Sequence, residues 1–252
     1  MKYRKARINN LDFVISQCEW DGDYHLVAYE FVKKLLFGVS KHSLKFYSTK
    51  FNFVDFPFTH RERQLDSLIL PCISSLCNGI AIAEYPVRRN CKRDEEEKND
   101  THGRIDYWCI YKGFTLVVEV KHSYDNIHEI TNKKTFDRWN YMNCTQLQTC
   151  KKDVVCYEEK TRGIIRLGLQ FITARSSNTD ADICTYFKKE TKKIFDRLVT
   201  DMSKIKPRYN TPDFIGCWQI EEKLAYAEEG IVSPGLILVA KIHDIIYHKG
   251  SK

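Results

Sequence analysis

The sequence predicts an α/β chain with one mixed sheet lying between helices. Three observations carry that expectation. Apolar residues recur at helical spacing after residue 59, two β-rich runs flank a Lys-Gly turn near the centre, and from about residue 136 helices and strands alternate. Paired strands interrupted by helices long enough to cross a sheet are what such a layered fold requires.

In chain order, residues 1–57 form an opening section rich in aromatics and lysine. Within it, 29–37 reads as a short helix, and 44–58 carries Phe46, Tyr47, Phe51, Phe53, Phe56 and Phe58. Clustered aromatics bury large apolar areas, so the section is expected to pack as an extension on a main domain spanning 58–252. The alternative is a stacking surface for nucleic-acid bases. Leu65, Leu68, Ile69, Cys72, Ile73 and Leu76 then mark the apolar stripe of a helix that Pro71 is expected to kink. Residues 80–89 read as a strand, ended by a charged loop at 90–102 whose run Asp94-Glu95-Glu96-Glu97 suits a solvated position. Two further strands, 103–111 and 114–122, are joined through Lys112-Gly113, a tight-hairpin signal. A helix around 136–151, a strand at 166–174, a basic helix at 181–204 and strands at 215–220 and 236–242 complete the chain.

Composition excludes several classes. At 252 residues the chain can bury one sizeable core. A hydrophobic fraction of 43% is that of a globular chain and not of a disordered one. No apolar run has the length of a bilayer span. The basic start Met1-Lys2-Tyr3-Arg4-Lys5 is not followed by an apolar export segment, so a cytoplasmic location is expected. Ten cysteines contain no CxxC spacing, which removes the usual zinc knuckle. Reduced structural thiols are expected, with Cys72, Cys109 and Cys184 set inside apolar stretches. The net charge of +7 suits a polyanionic partner without establishing one. There is no GxxxxGK[ST] phosphate loop, GxSxG elbow or HExxH helix.

The informative residues lie in Gly103-Arg104-Ile105-Asp106-Tyr107-Trp108 and Leu116-Val117-Val118-Glu119-Val120-Lys121. Glu119 and Lys121 are two apart, so a strand points both to one face. Val117, Val118 and Val120 make that strand apolar enough to be central, where an unpartnered charge is costly to bury. The hairpin can bring Asp106 beside Glu119. Two carboxylates offer hard oxygen ligands to Mg²⁺, which Mn²⁺ can replace, and a lysine there can orient or deprotonate a water. His122 alternates away from the Glu119 face and is assigned no role.

These residues resemble the PD-(D/E)XK nuclease superfamily, with Asp106 as the hairpin aspartate and Glu119-Val120-Lys121 as the (D/E)-x-K element. Glu62, three residues before Leu65, fits the family's helical glutamate. Gln146, in Gln146-Leu147-Gln148-Thr149-Cys150, resembles the glutamine of the RecB-like branch, although Cys150 stands where that pattern has tyrosine and Ile105 where proline often precedes the aspartate. The resemblance covers about 59–174. It implies a restriction-endonuclease-like core and a metal-dependent nuclease, with DNA expected over RNA as its substrate. Asp106 and Glu119 would hold the metal with the Val120 carbonyl and, through water, Glu62. Lys121 would position the attacking water, and Gln146 would orient Lys121 or substrate. A nuclease-fold protein that binds nucleic acid or a protein partner without cutting is the alternative, and a homo-oligomer is compatible with either.

Each member has a plainer reading. Thr59-x-x-Glu62 matches a capping box. Glu119 and Lys121 can pair with Asp106 as a buried ion network. Gln146 can be an ordinary exposed helix residue, and Glu84 is a rival third carboxylate. On the basic helix, Lys192, Lys193 and Arg197 are candidate phosphate contacts, the plainer reading being a solvated face.

Overall fold

The computed structural model describes residues 1–48, 53–89, 101–129, 131–150, 161–177, 182–204, 206–225, 227–228, 230–243 and 246–247. The acidic run Asp94-Glu95-Glu96-Glu97 and Phe51 lie outside them. Among the described residues no helix is long and apolar enough to cross a membrane.

Strands β1 (Tyr3–Ile8) and β2 (Leu11–Ser16) open the chain as a hairpin. Its turn is Asn9-Asn10, both left-handed at φ 51° and 64°, a conformation asparagine tolerates and a two-residue hairpin requires. Helix α1 (Asp23–Ser43) follows, then α2 (Glu62–Leu76), one element with Pro71 inside it. Strands β3 (Ala81–Arg89), β4 (Thr101–Tyr111) and β5 (Phe114–Asn126) come next. Lys112 and Gly113 turn β4 into β5 at φ 49° and 78°. Helix α3 (Lys133–Tyr141) passes without a break into a π-helical turn, Met142–Gln146. Strand β6 (Gly163–Ser176), helix α4 (Ile183–Met202), β7 (Phe214–Gln219) and β8 (Ile231–Ile242) complete the frame.

The sheet runs β1-β2-β7-β8-β6-β5-β4-β3, with two-residue strands added to β8 and β6. Only β5 and β6 pair in parallel among these eight neighbours; the other pairs are antiparallel. A parallel pair needs a crossover, and α3 supplies it. One apolar cluster fills the space between the sheet and α1 with α2, and a second the space beneath α3 and α4. From Phe114 to Val120 every β5 residue is buried, as expected of a strand covered on both sides.

The described part of the first 57 residues supplies two strands and a helix to this frame. β2 pairs with β7, and Ile15 faces Gly216. A side chain at Gly216 would come within 2.9 Å of Ile15 Cγ2 and 3.1 Å of Leu36 Cδ2, so strand and helix pack through the missing methyl. Helix α1 is 21 residues long, more than twice the expected helix, and its inward face (Phe31, Val32, Leu35, Leu36 and Val39) is fully buried. Phe56 and Phe58 stack at 5.1 Å and meet Trp218 edge-on, which assigns these aromatics to the core and not to a base-stacking surface. Cys72, Cys109 and Cys184 are buried free thiols.

Candidate active site

The site forms where β4 leaves β5. Their ladder runs from Tyr111 against Phe114 to Tyr107 against Val118 and then ends. One step beyond stand Asp106 and Glu119. Alternate residues of a strand aim their backbone groups at the same edge, so the departure of β4 leaves the Val120 and His122 amides of β5 in need of acceptors. Two carboxylates take them. Asp106 Oδ2 accepts the Val120 N–H at 2.6 Å, and Glu62 Oε2 accepts the His122 N–H at 3.0 Å.

Glu62 reaches β5 because α2 begins with it. The capping box is not formed: Arg61 is the N-cap without a side-chain cap bond, and Thr59 Oγ1 donates instead to the Phe56 carbonyl at 2.7 Å. A carboxylate in the first turn also lies favourably against the positive end of the helix. Glu84, the rival, is 66% exposed and pairs with Arg104 at 3.1 Å.

Between the two carboxylates sits the Lys121 ammonium. Nζ donates to the Val120 carbonyl at 2.8 Å and lies 3.7 Å from Glu62 Oε1 and 3.9 Å from Asp106 Oδ2. The lysine side chain is 13% exposed, whereas Asp106 and Glu62 are 32% and 41% exposed, so the amine lies under a mouth formed by its partners. Deeper still is Glu119, fully buried, with Gln146 Nε2 donating to its Oε2 at 3.2 Å. Gln146 therefore faces Glu119 directly and is not an exposed helix residue. Behind Asp106, the Tyr107 hydroxyl donates to Asp66, and burial raises its pKa above the usual phenol range.

The π-helical turn is what aims Gln146. Such a turn inserts a residue into the helix and rotates the side chains beyond it. Its Asn143 donates through Nδ2 to the Trp139 carbonyl at 3.0 Å, so Oδ1 is the acceptor facing His243 Nε2 at 2.9 Å. His243 must then carry its proton on Nε2, and burial holds its pKa down to about 3, keeping it neutral. Arg166 Nη1 donates to the Leu147 carbonyl at 2.8 Å and fixes the far end of the turn. All this lies over Gly168, the β6 residue opposite Glu119. A methyl there would stand 2.4 Å from Asn143 Oδ1 and 3.1 Å from both Leu147 Cδ1 and Met142 Cε. Gly168→Ala is accordingly expected to lower stability by about 1–3 kcal/mol through overpacking. Urea denaturation measures it, and an unchanged midpoint would show that the turn shifts without loss. Asn143 and His243 were not singled out from sequence, and a contact spanning 100 residues leaves no local signal.

His122 is a buried neutral imidazole, with Nε2 2.9 Å from Thr173 Oγ1. Burial, reinforced by Arg138 and Arg175, holds its pKa down to about 3. The candidate phosphate contacts on α4 divide. Lys192 is exposed, and Lys193 pairs with Glu190 at 2.7 Å on an open helix face. Arg197 is held within the fold: it donates to the Glu129 carbonyl, to the Asn126 carbonyl at 3.4 Å and to Asp125 Oδ2 at 3.5 Å. Burial pushes Asp125 up to about 6, with Arg197 pulling the other way.

The ligand atoms on offer are all oxygens: the Asp106 and Glu62 carboxylates at the mouth, the buried Glu119 carboxylate beneath them and the Val120 carbonyl, whose second lone pair is left by Lys121. Among the described residues no three His, Cys, Asp or Glu side chains stand together as a ready-made cation cage. Mg²⁺ does not need one, since one or two carboxylates with water and phosphate suffice, so the donor chemistry fits that ion. The chain matches no protein-family model, no curated protein and no solved structure.

Proposed function

We propose that the chain is a Mg²⁺-dependent nuclease on a restriction-endonuclease-like core, hydrolysing phosphodiester bonds of nucleic acid, DNA before RNA, in the cytoplasm. One observation carries this reading: the Lys121 amine rests on the Val120 carbonyl between Glu62 and Asp106, where β4 parts from β5. Asp106 and Glu119 are the residues to hold the ion, with the Val120 carbonyl beside them. Bound there, Mg²⁺ would act as a Lewis acid toward phosphate and lower the pKa of a coordinated water. Lys121 has the reach to hold the attacking water, and its amine could take that water's proton only from the neutral state. Glu62 balances the lysine charge, and Gln146 fixes the orientation of the Glu119 carboxylate.

A second reading has its own observation. Glu119 is fully buried beneath Gln146, and no three-residue ligand group stands among the described residues. These charges would then be a structural ion network in a protein that binds nucleic acid or a protein partner without cutting. Incubation with Mg²⁺ or Mn²⁺ and labelled single- and double-stranded DNA and RNA separates the two. Cleavage is expected with metal, absent with EDTA and absent in Asp106→Asn. Binding without cleavage under every condition would establish the second reading.

A further inference from the structure

We infer that the nucleic-acid backbone is gripped by an arginine rim, Arg61 and Arg138 over a floor of Tyr124 and Arg175, and not by helix α4. The inference rests on the nucleic-acid reading above and names the surface that reading leaves open.

The rim arises from how β5 continues past the site. Beyond Val118 the strand has lost β4, and the α2 entry and α3 stand on either side of the opening. Tyr124 ties both to the strand. Its hydroxyl donates to the His60 carbonyl and, at 3.2 Å, to that of Thr59, immediately before α2. Its own carbonyl accepts Thr135 Oγ1 of α3 at 3.3 Å. Arg61 directly follows His60, and Arg138 lies one turn beyond Thr135, so each guanidinium starts from a backbone fixed beside Tyr124. From β6 the Arg175 guanidinium lies 3.5 Å over the Tyr124 ring and donates to the Thr59 carbonyl at 2.9 Å.

The charges converge as the backbones do. Burial raises the Tyr124 pKa, and Arg175, Arg138 and Arg61 all oppose that rise. Arg61 and Arg138 are exposed, and among the described residues neither is drawn into an ion pair. Arginine forks bind phosphate oxygens in pairs, which suits a chain of phosphates passing the Lys121 mouth. Helix α4 offers less. Arg197 is occupied by Asp125 and two carbonyls, Lys193 pairs with Glu190, and Asp196 and Asp201 stand among its cations.

The test is the salt dependence of DNA binding, read by fluorescence anisotropy without divalent metal. The probes are a short labelled duplex and its single strand, and the proteins are the wild type, Arg61→Ala/Arg138→Ala and Lys192→Ala/Lys193→Ala. The arginine variant is expected to lower the log–log salt slope on duplex by about two, near 0.9 per phosphate contact, and the lysine variant to leave it unchanged. Arg61→Lys/Arg138→Lys, which keeps the charges, should restore the slope, and a matching melting temperature checks the fold. An unchanged slope in the arginine variant, an equal loss in the lysine variant, or a wild type that binds neither probe overturns the rim. Binding without cleavage removes the nuclease reading and leaves the rim. Cleavage by a wild type whose slope ignores the arginines removes the rim alone.

Discussion

Lys121→Ala is expected to lower the single-turnover rate of metal-dependent DNA cleavage by about 10²–10⁴-fold, the usual range for loss of a positioned acid–base group, while changing DNA affinity little. The two effects separate because of where the amine sits. It is largely covered by Glu62, Asp106 and the Val120 carbonyl, so it meets the reacting phosphate at one point, whereas backbone binding is spread over many contacts. Glu62 and Asp106 are each about a third exposed or more, so losing their shared cation should cost little stability. Lys121→Arg refines the test. A guanidinium keeps the charge but does not give up its proton, so an inactive arginine variant marks a proton acceptor and an active one marks a positioning charge. Cleavage that survives Lys121→Ala undiminished would remove the mechanism.

The part of the site legible in the sequence is the part written within one hairpin. An apolar run interrupted only by Glu119 and Lys121 could be little but a central strand carrying charge for a reason, and Lys112-Gly113 set the register whose last pair, Tyr107 with Val118, immediately precedes Asp106 and Glu119. Glu62 was legible through helical spacing from Leu65. The structure adds why it is held: the carboxylate replaces the strand that β5 loses, which no local pattern states.

The features that were not legible depended on distance or on weak patterns. β1 carries Arg4, Lys5 and Arg7 on an exposed edge, so it lacks the apolar alternation of a half-buried strand. The Asn9-Asn10 turn was its available signal. The π-helical turn has no residue signature, and its position depends on Gly168 of another strand. Arg197 read as a free cation because its partner Asp125 is 72 residues away. The arginine rim draws on positions 61, 138 and 175, which only the folded β5 edge brings together.

Trp218→Ala is expected to destabilise the protein by about 3–5 kcal/mol, the range for deleting a large buried aromatic. Trp218 is 1% exposed on β7, faces Phe13 of β2 in register and carries Phe56 and Phe58 edge-on at 6.1 and 6.0 Å. Its loss opens a cavity where the opening section joins the rest of the sheet. Aromatic pairs add about 0.5–1.5 kcal/mol beyond their buried area, so two such contacts place the change toward the upper end. For a chain of this size the melting temperature should fall on the order of 10 °C. The shape of the transition decides the larger question. If residues 1–57 share one core with the remainder, as the β2–β7 pairing and the close approach at Gly216 require, calorimetry of wild type and variant should each show one cooperative transition. A separate extension would melt on its own, and the variant would then lose a minor early transition while the main one stayed at its wild-type temperature.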